Sequence, residues 1–324
     1  MSTRVLLSKE LLPLLTSFQD GCIEPLRCYY YAWQLSVELP SSCASFKSLS
    51  YQWAQSFNTL LEQSNARSEH VLLLIKQYPA MFTPATVDVA ASRGHLDILE
   101  LLHASGMLKC TLDAMNEAAT QGHLTVVRFL HDNSLKGCST RAMNGAARNG
   151  HLAIVQLLHD ERSEGCTTVA MDSAAANGHL NVVQFLHNER SEGCTTNAMD
   201  HAARSGHLDI VQFLHQHRTE GCTTDAMDWA LIYGHLNVCE YLQEKRREGC
   251  TANALYAAVW EGNLQNVQFL CERRGESYRR DVLEAAVNRG HSSIVKYLEA
   301  HWNVNALESL KNTVVACIYR LANN

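Results

Sequence analysis

The stretch CTTNAMDHAARSGHLDIVQFLHQHRTEG, Cys194 to Gly221, decides how this chain folds. Thr196 to Arg204 has the alanine and methionine content of a helix, with a threonine in front as an N-cap candidate. Asp200 falls where a negative charge favours the helix dipole. Gly206 ends this first helix, because glycine tolerates the left-handed backbone of a C-cap. Leu208 to Gln216 then sets Leu208, Ile210, Val211, Phe213 and Leu214 at the spacing of an amphipathic second helix, with Asp209 and Gln212 on its other face. Gly221 closes the second helix and the unit restarts.

Glycine recurs at Gly94, Gly122, Gly150, Gly178, Gly206, Gly234, Gly262 and Gly290, each 28 residues after the last. Histidine follows every one except Gly262, which Asn263 follows. The apolar framework barely varies. The position of Leu214 is leucine in all eight units, and that of Met199 is Val87, Met115, Met143, Met171, Met227, Leu255 and Leu283 elsewhere. A single helix pair cannot bury its apolar stripe, so the pairs must stack into a solenoid in which each touches mainly its neighbours. Alanines such as Ala202 and Ala203 let the helices approach closely.

AARNGHLAIVQLLH, Ala146 to His159, resembles the heart of an ankyrin repeat, whose two helices are joined by a similar Ala-Ala-x-x-Gly-His-Leu turn. The resemblance covers about residues 84 to 300 and implies an all-α helix-pair solenoid. The usual ankyrin period is about 33 residues, whereas here it is 28. The difference falls just before the first helix, where the family builds a β-hairpin finger, so short fingers and almost no strand are expected. Arrays with EGCTT and AMD motifs resemble short ankyrin variants expanded in some protists. The Thr-Pro-Leu-His start of the family is absent. The expected organisation is a helical cap region over 1–80, with a degenerate repeat in its last helices, eight repeats over 81–300, and a capping helix over 301–324.

Sixteen histidines and twelve cysteines invite a metal or catalytic reading. Six cysteines (Cys110, Cys138, Cys166, Cys194, Cys222, Cys250) share one repeat position, one per unit, and the unit's two histidines are eight residues apart, as His179 and His187 are. Neither spacing suits a Cys₂His₂ site. Stacked repeats at about 10 Å hold such cysteines beyond disulfide reach. They read as small buried apolar residues. The Gly-His histidines read as structural, which the ankyrin resemblance also implies, bonding backbone near their own turn. The trailing His131, His159, His187 and His215 suit a helix C-terminus as donors or cations. Asp172, Asp200 and Asp228 repeat too regularly for an acid/base pair. No phosphate loop, G-x-S-x-G or H-E-x-x-H occurs. No catalytic residue, metal or cofactor is expected.

In a repeat protein the framework repeats and the function varies. Three varying positions of the first helix lie three and four residues apart, on one face. In the resemblance this is the concave inner face where partners bind. Its middle units present Arg141, Arg148, His201 and Arg204, and its later units Trp229, Ile232, Tyr233, Tyr256 and Trp260. Tryptophan, tyrosine and arginine dominate binding hot spots. The face therefore reads as a partner-binding strip for an acidic and apolar segment of another protein. The competing reading packs Trp229 and Trp260 on each other and on the C-terminal cap as core.

The net charge of −6 argues against a nucleic-acid footprint, and no apolar run is long enough to span a membrane. The opening residues lack the uninterrupted apolar core of a signal peptide. A cytoplasmic or nuclear monomer is expected. A second reading makes the chain a substrate adaptor of a ubiquitin ligase, because Leu7-Ser8-Lys9-Glu10, Leu15 and CYYYAWQL faintly resemble an F-box. That family's proline is Ser8 here, its later leucine falls at Gln19, and Trp33 is one place out of register.

Overall fold

The computed structural model of the protein describes residues 82–133, 137–251, 253–273 and 280–301. These form eight helix pairs joined by the Gly-centred turns, with no strand among the described residues. The pairs are α1 (Pro84–Ser92) and α2 (Leu96–Ala104), α3 (Leu112–Gln121) and α4 (Leu124–Asp132), α5 (Thr140–Arg148) and α6 (Leu152–Glu161), α7 (Thr168–Ala176) and α8 (Leu180–Glu189). They continue with α9 (Thr196–Arg204) and α10 (Leu208–His217), α11 (Thr224–Ile232) and α12 (Leu236–Lys245), α13 (Asn253–Trp260) and α14 (Leu264–Arg273). The last pair is α15 (Arg280–Asn288) and a helix over 292–301, here α16. The fold is the all-α helix-pair solenoid that the period implies, and the loops where a finger would stand carry no hairpin. The expected caps over 1–80 and 302–324, and the F-box-like segment, lie outside the described residues.

The described residues fall into two compact units, 82–146 with 153–165, and 147–152 with 166–301. Each is built the same way. The leucine column from Leu102 to Leu298 is buried in every repeat, as are Met199, Ala202, Ala203, Ile210 and Val211 in the central unit of the pattern. A fully buried side chain of this size contributes about 1.5–3 kcal/mol. The column therefore forms an apolar seam within each unit, Leu102, Leu130 and Leu158 in the first and Leu186 to Leu298 in the second.

Polar contacts fix the register between successive repeats. The carboxylate of Asp200 accepts hydrogen bonds from the Thr223 backbone N–H at 2.8 Å and from its hydroxyl at 2.9 Å. Asp172 holds Thr195 in the same way, and Asp228 holds Thr251. In the first unit Asp88 holds Thr111, and Asn116 replaces the carboxylate opposite Ser139. The clamped threonine is itself the N-cap of the next helix, since Thr223 Oγ1 accepts from the Asp225 N–H at 3.1 Å. Asp200 thus acts on the following repeat, not on the dipole of its own helix, and it is buried in doing so. Burial pushes its carboxyl up, and the two bonds from Thr223 pull it back.

The Gly-His turn also reaches across repeats. Gly206 has φ +79°, and a Cβ there would lie 2.5 Å from Nδ1 of His235. The ring of the next repeat fills the space glycine leaves open, so glycine is required twice over. Through Nε2, His123 bonds the Ser92 carbonyl at 3.0 Å, and His291 bonds that of Trp260 at 3.3 Å. These partners belong to the preceding repeat, which corrects the expectation of a bond near the histidine's own turn. His187, one of the trailing set, is held below the ordinary imidazole range by burial, and also by Arg218 and His217. Its ring meets Phe213 of the next repeat edge-on at 5.5 Å. It is a neutral packing ring, not the cationic cap expected at a helix end.

A third contact escapes the helical periodicity. The second helix of the unit ends at His217, and Gly221 lies beyond it in an Arg-x-Glu-Gly-Cys loop, so the glycine does not itself close the helix. Arg190 pairs with Glu192 at 2.6 Å, and Arg218 pairs with Glu220. Glu192 also accepts from the Cys166 N–H of the preceding repeat. The arginine hydrogen bond draws Glu192 and Glu220 down to about 2 against burial. The cysteines beside this ladder are free and mostly buried, and burial raises the thiols of Cys166, Cys194 and Cys222 to about 11. Such thiols are weak nucleophiles and weak metal ligands at neutral pH.

Replacing Asp200 by alanine leaves the Thr223 donors without their acceptor and should destabilise the fold by about 1–3 kcal/mol. Asp200→Asn, which repeats the natural Asn116 arrangement, should lose less, as urea melts will show. The glutamates give a pH signature. A carboxylate held below its unfolded range stabilises the fold at neutral pH, and that contribution fades as pH falls from 4.5 towards about 2. A Glu192→Gln, Glu220→Gln double variant should therefore be less stable than the parent at pH 7, and the gap should narrow between pH 5 and pH 3 in denaturant titrations, on the order of the shifts involved.

Candidate partner-binding face

The varying positions lie on the side of the first helices away from the Met199, Ala202 and Ala203 seam. Helical geometry dictates this, because positions three and four apart share a face. In the first unit Arg141 is exposed, but its guanidinium meets Asp113 at 3.1 Å and Glu117 at 3.2 Å, both one repeat earlier. Its charge is already matched by two carboxylates, so the basic part of the strip narrows to the second unit.

There Arg148 is exposed at the end of α5, its carbonyl bonded by Asn177. His201 on α9 is half-buried, and its ring stacks on Trp229 of α11 with centroids 5.4 Å apart and planes within 1°. Arg204, a turn further along α9, lies between two rings. Its Cζ is 5.5 Å from the Trp229 centroid and 5.1 Å from that of Tyr233. One N–H donates to the Tyr233 hydroxyl at 3.0 Å. Ile232 is half-buried beside them, and Tyr233 is 52% exposed.

A second aromatic group follows on α13. Tyr256 and Trp260 stack at 6.0 Å and are 37% and 42% exposed. Arg289, just after α15, lays its guanidinium 4.2 Å from the Trp260 ring centre and donates Nε–H to the Trp260 carbonyl at 3.3 Å. The reading that Trp229 and Trp260 form core on each other does not match this geometry. Each stacks on surface partners of its own. Arg289 is absent from the strip read off the sequence, although it occupies the same repeat position as Tyr233 and Glu261, so the column of varying residues contained the sign.

Tyr256 occupies the place where Asp172, Asp200 and Asp228 clamp the next repeat. Around it the framework departs from the pattern twice more. Asn263 stands where the other repeats have histidine, and its Nδ2 lies 3.4 Å from where a Gly234 Cβ would be. Its Oδ1 instead caps the N–H of Asn266. Asn266 is buried at a position held by isoleucine or valine elsewhere, and donates its side-chain amide to the Leu231 carbonyl.

Among the described residues no group of histidines, cysteines and carboxylates is placed to hold a metal ion, and no helix is long and apolar enough to cross a membrane. The geometry defines a protein of stacked helix pairs carrying an aromatic surface strip. Comparison with family models places it further. The model described as ankyrin repeats (3 copies) matches residues 143–228 and, overlapping, 171–253. The matched residues, 143–253, are ankyrin repeats, and the same turn and the same period run through the flanking pairs. The ankyrin fold is typically a non-enzymatic interaction scaffold. No curated protein matches the chain.

If the strip is surface and not core, its truncation should cost little stability. Trp260→Ala should destabilise by about 1 kcal/mol or less, and Trp229→Ala by somewhat more because it is half-buried, whereas Leu214→Ala should cost about 2–5 kcal/mol. Thermal melts of the three variants decide between the readings.

Proposed function

We propose that this protein is a non-enzymatic scaffold or adaptor that holds another protein against the first-helix face of its second unit. The observation that carries the reading is the grouping of exposed aromatics. Among the described residues every exposed aromatic, Tyr233, Tyr256 and Trp260, lies on this face, with arginines over Tyr233 and Trp260 and Tyr256 stacked on Trp260. Aromatic and arginine side chains supply most hot-spot energy at interfaces. The complementary partner is a segment with acidic and apolar side chains. Cys138, Cys166, Cys194, Cys222 and Cys239 form no disulfide, which favours a reducing compartment, cytoplasm or nucleus. The ubiquitin-ligase alternative rests on residues outside those described, and no structural observation favours it.

The test is affinity capture with the full chain, in parallel with a Trp229→Ala, Trp260→Ala variant and an outer-face control, Arg128→Ala, Gln184→Ala. Proteins captured by the parent and the control should be lost from the aromatic variant while it remains folded at the capture temperature, as its melting curve will show. Undiminished capture by that variant would sink the reading.

A further inference from the structure

The two arginines of the strip differ from most of their kind in this protein. Arg162, Arg190, Arg218 and Arg246 each pair with a glutamate two residues on, and Arg141 pairs with two carboxylates. Arg204 and Arg289 lie on ring faces instead, and neither forms an ion pair among the described residues. Ring contact restrains the plane of a guanidinium, and of its five N–H donors Arg204 is seen to spend one on the Tyr233 hydroxyl and Arg289 one on the Trp260 carbonyl, which leaves donors for a ligand. A planar edge of this kind takes a carboxylate with two parallel bonds.

Two such clamps occur in the second unit. The Arg204 head sits at the Trp229 and Tyr233 rings of one repeat, and the Arg289 head sits at the Trp260 ring of the next. With about 10 Å per stacked helix, the open edges stand roughly one to two repeats apart, about 10–20 Å. An extended segment covers about 3.3 Å per residue. Between the clamps lie Tyr256 and the exposed carboxylate of Glu261, which favours apolar and disfavours acidic side chains there.

The framework supports a binding origin for this group. Tyr256 sets an exposed ring at the position of a clamp aspartate. Departures from local consistency of this kind concentrate at functional sites.

We infer that Arg204 and Arg289 are paired carboxylate clamps that select an extended protein segment bearing two acidic side chains about three to six residues apart with apolar residues between them. This rests on the first-face reading above and names the chemistry of its partner. A single-stranded nucleic acid would also stack on the rings, but its closely spaced phosphates call for a basic groove, and the chain carries a net charge of −6.

The experiment uses the full chain and fluorescein-labelled peptides of glycine and serine with one central leucine and two glutamates, the gap between them varied from one to about nine residues. Lysine-for-glutamate peptides and a short oligouridine serve as controls, and binding is read by anisotropy. The inference expects a maximum at an intermediate gap, about tenfold tighter than the shortest gap or the lysine peptides. Arg204→Lys and Arg289→Lys keep the charge and, with the melting temperature unchanged, should each flatten that maximum. Flat affinity across gaps, no binding to any peptide, arginine variants that retain the preference, or tighter binding of oligouridine would each overturn it. Capture that still depends on Trp229 and Trp260, alongside a flat peptide series, would leave the first-face reading standing and remove only the clamps.

Discussion

A helix pair of this protein cannot satisfy itself, and the contacts that complete it all belong to the next or the previous pair. The apolar stripe of each first helix is covered by its neighbours. A buried aspartate on one repeat supplies the acceptor for the N-cap threonine of the next. A glycine that must adopt φ near +79° also makes room for the following histidine ring. Because each contact joins adjacent repeats, the register of 28 is enforced locally and repeatedly, and one inserted residue would break the aspartate clamp, the glycine seat and the loop ladder together. The invariance of the period in the sequence is the consequence.

This dependence explains where variation is allowed. Positions that face neither neighbour are free to change, and the first-helix face is where they collect. It also explains why the aromatic group is more than surface decoration. Around α13 three framework positions depart from the pattern, Tyr256 for a clamp aspartate, Asn263 for a ring and Asn266 for a core aliphatic. Asn263 keeps one useful contact by capping α14 through Asn266, but the cap is local, and the contact it replaces joined two repeats. Asn266 meanwhile reaches back to the Leu231 carbonyl of the preceding repeat, so the departures change the kind of contact at this boundary beside the exposed rings.

Much of the fold was legible because it rests on periodicity. The helix from Thr196 to Arg204, the leucine column and the absence of a finger hairpin follow from spacing and residue type. The parts that were not legible are those in which one side chain acts across a repeat boundary. Asp200 sits near the start of a helix, and sequence alone favours the local dipole. Its actual partner, Thr223, is 23 residues away, a separation visible only when stacked helices are compared in space. The same holds for His123 and Ser92, and for the glutamate of each Arg-x-Glu-Gly-Cys loop. On the face, the sequence located the aromatics and Arg204 but missed Arg289, because its role depends on lying over Trp260 from the following repeat.

The same geometry separates architecture from recognition among the charged groups. An arginine paired with an exposed carboxylate, as Arg141 is, gains little, since such pairs are worth about 0–1 kcal/mol in water, and a partner carboxylate would have to displace Asp113 and Glu117 to use it. An arginine held on a ring has its orientation fixed without its charge being cancelled. Less side-chain freedom is then lost when a ligand arrives, and preorganisation of this kind contributes to affinity as directly as a new contact does. Histidines and cysteines, though far more numerous, lack this property. Several of the histidine rings seat against the preceding repeat, and the thiols of Cys166, Cys194 and Cys222 are raised well above neutrality by burial. Abundance in this chain therefore marks the stack, and the arginines lying on exposed rings without an ion pair among the described residues mark the place where we propose that another molecule completes the surface.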